Sequence, residues 1–200
     1  LRLPPNIAPI QVVVIPVINK EYDPDKFKIY IKKLITEMGN NDIRYYIDER
    51  EQYSAGYKFN EWEMKGVPVR LEIGARDINN KQAVMARRDI GEKETISING
   101  SFKAIQSCLL DVQENLFSQA KKFQEDNTFT INNYNDFKTQ VNKGGFIRCG
   151  WDGSPESENK IKEETKATIR CILTEQNISN LKCIYSNKPA QHEVIFSKAY

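Results

Sequence analysis

Histidine is nearly absent from this chain: His192 stands alone among 200 residues. One imidazole leaves a hydrolytic metal centre short of nitrogen ligands. A Ser-His-Asp relay would have to run through His192, and no GxSxG elbow precedes it. His192 sits beside Glu193 at the start of the last expected strand and reads as a surface or structural residue. Cysteine is scarce and scattered. Cys108, Cys149, Cys171 and Cys183 form no CxxC pair, so reduced thiols in a cytosolic protein are the expectation. GxGxxG and GxxxxGK[ST] are both missing, which removes sequence support for dinucleotide or P-loop phosphate binding. No apolar run reaches membrane-spanning length; the longest, Val12 to Ile18, is interrupted by Pro16. Neither sign of charge dominates: 29 Lys and Arg face 27 Asp and Glu, for a net +2. Such a balance neither implies nor excludes a nucleic-acid partner, because a local patch decides. Internal repeats and low-complexity tracts are also missing.

What is present suits a globular α/β chain of one large or two small domains. Gln11 to Val17 is apolar almost throughout, as a strand covered on both faces would be. Asp23 followed by Pro24 is a helix start, with Phe27, Ile31, Leu34 and Met38 at helical spacing and Gly39 as the stop. Strands are expected at Ile43 to Asp48, Val67 to Gly74, Gln82 to Arg88 and, as a short edge, Thr95 to Ile98, with a helix at Tyr57 to Lys65. Ser101 to Glu125 is the longest helix; Phe102, Ile105, Leu109, Val112 and Leu116 mark a stripe suited to core packing. After a break at Asn127 to Asn133 come helices at Tyr134 to Val141 and from Ser154-Pro155. Further strands fall at Phe146 to Trp151, Thr168 to Leu173, Lys182 to Tyr185 and Val194 to Ala199. The order implies a mixed or mostly parallel sheet with helices against it, then a second small unit.

The stretch KGVPVRLEIGARD, Lys65 to Asp77, carries the most chemistry. Val67, Val69, Leu71 and Ile73 alternate with polar positions, which puts Arg70 and Glu72 on one face. A guanidinium can donate to guanine O6 and N7, and a carboxylate can accept from its N1 and N2 donors. An exposed strand carrying a surface ion pair fits the same pattern. Arg70, Arg76, Arg87 and Arg88 are expected to converge at one rim of the sheet, where ligands of open α/β sheets collect. Tyr45, Tyr46 and Phe59 offer faces for stacking bases, whereas Trp62 on its short helix reads as core. The guanine reading fails if the Glu72 carboxylate turns inward, locks to a neighbour and is shielded from solvent.

Four strings in order, LRLPPNIAPIQVVVIPV, KGVPVRLEIGARD, AVMARRDIGEKE and KIKEETKATIRC…VIFSKAY, resemble the C-terminal part of prolyl-tRNA synthetase of the archaeal/eukaryotic type. The resemblance covers essentially the whole chain. It implies a linker over 1–9, a class II synthetase anticodon-binding domain over 10–127, and a small α/β C-terminal domain over 128–200. The first is a mixed sheet flanked by helices. It further implies recognition of the two guanines of the proline anticodon, with Glu72 the leading residue and Arg70, Arg76, Asp77, Arg87 and Arg88 behind it. The parent enzyme is expected to activate proline with ATP and Mg²⁺ and to esterify tRNA(Pro). It is expected to work in the cytoplasm as a homodimer, with no membrane partner, through a catalytic domain upstream of Leu1; no catalytic residue falls within this chain. The C-terminal carboxylate of Tyr200 is expected to turn toward that domain. A non-catalytic RNA- or protein-binding paralogue is the alternative.

One departure stands out. Many family members hold zinc with four cysteines in a WCG…C…CxxC pattern. Here Asp152, Ser157, Cys183 and Ser186 occupy those places. Serine hydroxyls are poor zinc ligands, so no zinc is expected, and the small domain is expected to be held by packing, helped by the Ser154-Pro155 helix start with Glu156 and Glu158 in its first turn. Cys149 and Cys171 lie near the pattern but off its register, leaving a rearranged site as the second option.

Overall fold

The computed structural model describes residues 1–198 and resolves into two compact units, Leu1–Gln119 and a second beginning at Ala120. The expected boundary at 127/128 falls later because the long helix α4 (Ser101–Asp126) runs unbroken past the division. No described helix is long and apolar enough to cross a membrane.

The first unit is a five-stranded mixed sheet in the order β2-β1-β3-β4-β5: β1 (Val12–Val17), β2 (Tyr45–Ile47), β3 (Val69–Gly74), β4 (Gln82–Arg87) and β5 (Lys93–Ser97). β1 pairs parallel with β2 and β3, and the remaining neighbours are antiparallel. Helix α1 (Pro24–Asn40) starts where the Asp23 carboxylate accepts from the Asp25 and Lys26 amides, capping donors that have no partner inside the helix. Phe27, Ile31, Leu34 and Met38 of α1, with Ile105, Leu109 and Val112 of α4, bury one sheet face. Helix α2 (Ala55–Met64) lies on the other, where Trp62 packs against Val13 and Ile15.

This second covering corrects the picture of β3. Every residue of β3 is buried, the charged ones included, because the strand is central and both faces are roofed. The apolar alternation was set by the α1/α4 side; the Arg70 and Glu72 side faces the α2 layer rather than open water. A short helix α3 (Ala75–Asn79) follows directly on β3 and was not expected.

The second unit is a four-stranded sheet in the order β6-β7-β9-β8: β6 (Thr128–Thr130), β7 (Phe146–Trp151), β8 (Ala167–Ile172) and β9 (His192–Lys198). Helices α5 (Tyr134–Lys143) and α6 (Pro155–Thr165) supply Phe137, Val141 and Ile161 to a core with Ile147, Val194 and Phe196. Lys182 to Tyr185 contributes only two isolated bridges, Gly150 with Cys183 and Lys182 with Pro189, instead of a strand. β6 lies within the stretch read as a break; three residues carry too short a pattern to register as a strand.

Candidate anticodon-reading site

Four adjacent strands line up one row of side chains. In register, Val13 of β1 stands beside Arg70 of β3, Arg70 beside Ala86 of β4, and Ala86 beside Lys93 of β5. Partners in register point to the same face, so Arg70 and Lys93 meet across the small Ala86. They flank the Phe59 ring of α2, whose centroid is 4.3 Å from the Arg70 guanidinium carbon and 5.2 Å from Lys93 Nζ. Both distances allow attraction to the ring's negative face.

Glu72 anchors this pair of cations. Its carboxylate accepts from Arg70 Nε at 3.0 Å and lies 2.7 Å from Lys93 Nζ, and the residue is 8% exposed. Neither oxygen is free, so a base reaching Glu72 would have to displace Lys93. The inward, paired and shielded carboxylate meets the condition under which guanine reading by Glu72 fails, so Glu72 drops out as a base-contacting group and the strand pattern alone no longer argues for RNA reading.

The accessible carboxylate is Glu63, on the last turn of α2. It accepts from Arg70 Nη1 at 2.8 Å while its side chain remains 38% exposed. The Arg70 hydrogen bond holds the Glu63 carboxyl below its ordinary range despite partial burial, with Arg88 and Lys93 acting in the same direction. Glu63, Arg70, Arg88 and Lys93 line a cavity of about 110 Å³ whose floor includes Val13 and Trp62. Arg88 brings a buried Nε without a hydrogen-bond partner. Buried donors are almost always satisfied, so Arg88 is the cation of this group whose neighbours leave a donor unpaired.

The other expected residues go elsewhere. Arg87 also borders the cavity, but its guanidinium is held by both oxygens of Asp89, at 3.1 and 2.8 Å, and Asp89 is fixed in turn by Asn115 of α4. Asp77 is structural: one oxygen accepts from the Gly74 amide and caps α3, the other from Gln82. Arg76 is exposed on α3, beyond the far end of β3 from Arg70. The four arginines therefore do not share one rim; Arg70 and Arg88 alone turn free chemistry toward the cavity. Tyr46 is exposed and leans on Trp62 with ring centroids 5.0 Å apart, while Tyr45 packs against the main core. Trp62 is core, as read, and donates to a wholly buried Asp48 at 2.8 Å. Glu63 and Lys93 were missed. Glu63 sits at the end of a short helix and Lys93 in a turn-like GEK run, so only the packing of α2 on the sheet and the β3–β4–β5 register bring them to Arg70.

Residues 11–107 match the family model described as "Anticodon binding domain". Residues 134–200 match "Prolyl-tRNA synthetase, C-terminal". The chain joins an anticodon-binding domain to a prolyl-tRNA synthetase C-terminal domain. Along its whole length it is 43% identical to the proline–tRNA ligase of Cytophaga hutchinsonii, covering 41% of that protein. It is 42% identical over its whole length to proline–tRNA ligase 2 of Clostridioides difficile, covering 41% of it, and 42% identical to the proline–tRNA ligase of Chlorobium phaeobacteroides, covering 43%. The chain thus spans about two fifths of the length of the curated relatives it matches.

In the prolyl-tRNA synthetase C-terminal domain, the four positions of the zinc pattern gather around a carboxylate. Asp152, 8% exposed, accepts from Ser157 Oγ at 2.6 Å and from Ser186 Oγ at 2.6 Å. The Trp151 indole donates to Ser157 Oγ at 3.0 Å. This corrects the expectation of a domain held by packing alone. Cys183 is buried nearby in the same loop as Ser186. Cys149 and Cys171 do not face each other: they sit on β7 and β8 with β9 between them, so their backbones are two strand spacings, roughly 10 Å, apart. Burial pushes the Cys149 thiol up, whereas Cys171 is exposed. Among the described residues no cluster of three His, Cys, Asp or Glu side chains is able to hold a metal. Residue Tyr200 lies outside the described residues.

Proposed function

We propose that the anticodon-binding domain reads a guanine of the tRNA(Pro) anticodon in the cavity between α2 and the β3–β4–β5 row. The observation that carries the reading is the juxtaposition of one accessible carboxylate, Glu63, with the partner-seeking guanidinium of Arg88 and the cations of Arg70 and Lys93. A guanine's Watson–Crick edge offers N–H donors to a carboxylate, and its O6 and N7 accept from guanidinium or ammonium groups. Glu72 is a positioning residue here: it holds Arg70 and Lys93 at the distance at which both reach the cavity. Arg76, exposed near the same domain's surface, is assigned to phosphate contact, which adds affinity without base choice.

The parent protein, on this reading, is a proline–tRNA ligase that activates proline with ATP and Mg²⁺ on a catalytic domain of the same chain and transfers it to tRNA(Pro). The whole-length identity to proline–tRNA ligases supports it. The presence of the C-terminal domain supports the archaeal/eukaryotic subtype as a description of domain content, the named relatives themselves being bacterial. A homodimer in the cytoplasm completes the proposal.

The test uses the full-length protein. Glu63→Ala is expected to lower the aminoacylation kcat/KM for tRNA(Pro) by about 5- to 150-fold, the equivalent of one good guanine contact at ~1–3 kcal/mol. Proline-dependent ATP–pyrophosphate exchange should stay near the parent value. Equal losses in both assays, or no loss in charging, would overturn the reading.

A further inference from the structure

We propose that Asp152 does the work of a metal ion in the C-terminal domain: it is the node of a metal-independent clasp that ties three chain segments together through hydrogen bonds. The segments are the end of β7, the start of α6 and the 183–186 turn. One carboxylate oxygen, Oδ1, accepts from Ser157 Oγ at 2.6 Å and from the Ser154 amide at 3.2 Å. The other, Oδ2, accepts from Ser186 Oγ at 2.6 Å. These are O–H···O⁻ contacts in the short, charge-assisted range.

Each arm is itself fixed. Ser154 caps α6, its Oγ accepting from the Ser157 amide at 3.2 Å, and Pro155 opens the helix. That places Ser157 one turn in, under the Trp151 indole at the end of β7. On the other side, the Ile184 amide donates to Gly150 O and the Asn187 amide to Cys183 O, which folds the turn that delivers Ser186. The Asp152 carboxylate therefore joins elements 5 and 34 positions away in sequence.

Zinc does not fit this donor set. It selects thiolate, imidazole or carboxylate, and closed structural sites use four such ligands. Here two of the four positions are neutral hydroxyls that spend their single proton on the third, the Asp152 carboxylate, and only Cys183 carries sulfur. The carboxylate accepts at both oxygens, from Ser157 and Ser154 at one and from Ser186 at the other, so it is already engaged by the hydroxyls that stand at the other pattern positions.

The experiment is metal analysis and thermal unfolding of the full-length protein produced with added zinc. The expected result is negligible zinc at this site and a melting temperature unchanged by a strong chelator. Asp152→Ala is expected to lower the melting temperature, and Ser186→Ala, which removes one arm, to lower it less. Near-stoichiometric zinc that disappears in Cys183→Ser would overturn the proposal. So would a melting temperature indifferent to both Asp152→Ala and Ser186→Ala. A gain-of-function variant tests the geometry without relying on destabilised protein. Asp152→Cys, Ser157→Cys and Ser186→Cys together, with the native Cys183, should acquire one zinc and make unfolding chelator-sensitive. A folded triple variant that takes up no zinc would show that the cluster does not converge as described.

Discussion

At the scale of single residues, two of the buried carboxylates of the first unit, Glu72 and Asp48, differ in how their cations reach them. Glu72 is shared between Arg70 and Lys93 at the edge of a cavity, whereas Asp48 is wholly enclosed. Burial opposes ionisation of Asp48, but Arg50, which donates from Nε and Nη2 at 2.8 Å each, and Trp62 outweigh it, and the carboxyl is pulled down to about 2. A native pKa below the unfolded one means that the unfolded chain binds more protons, so stability rises with pH across the gap. The contribution of Asp48, roughly 2 kcal/mol from a shift of that size, should be complete above about pH 5 and fade between about pH 4 and pH 2. Urea unfolding of the parent and of Asp48→Asn across that range checks it: the two stabilities should converge as the pH falls. Glu72→Gln belongs to the same scale. It is expected to weaken tRNA charging by releasing Lys93, yet less than Glu63→Ala does. A Glu72→Gln loss larger than that of Glu63→Ala would restore Glu72 as the base-contacting group.

At the scale of elements, the helices were legible wherever a cap and a stripe coincided. Asp23-Pro24 and Ser154-Pro155 each opened a helix at the expected residue because capping is a local hydrogen bond that sequence alone can specify. The strand order was not legible, nor was α2's position over β3, because both depend on which faces meet at long range. That is the reason the alternation in β3 was read as one open face, and why Arg87 was grouped with Arg70 although one residue's step in a strand turns it to the α4 side. Glycine offers a test at this scale. A Cβ on Gly150 of β7 would meet the Lys182 carbonyl and sit 2.9 Å from the Leu181 side chain, in the segment that carries Cys183 and Ser186. Gly150→Ala should therefore destabilise the C-terminal unit by about 1–3 kcal/mol, as overpacking does, visible as a lower denaturation midpoint with an unchanged m-value. Its effect should reach the Asp152 cluster, since the same turn delivers Ser186.

At the scale of the whole molecule, a net charge of +2 is too small to draw RNA in by bulk attraction. On the proposed function, this chain's share of tRNA affinity comes from local cations, and the slope of log K against log salt for tRNA binding by the full-length protein counts the phosphates that its cations neutralise. Arg76→Ala should reduce that slope while leaving discrimination between guanine and other bases at the anticodon unchanged. A slope untouched by Arg76→Ala would remove this residue from the phosphate contacts.

The central place of β3 has an evolutionary consequence. Of the side chains assigned to choosing a nucleotide or to holding those that do, Arg70 and Glu72 are rooted in the middle strand of the domain rather than on a replaceable loop. Arg70 and Glu72 cannot be exchanged for groups that prefer another letter without stranding a charge beneath α2. On the proposed function, drift in codon assignment would be resisted twice, once by mischarging and once by loss of the fold that carries the mistake.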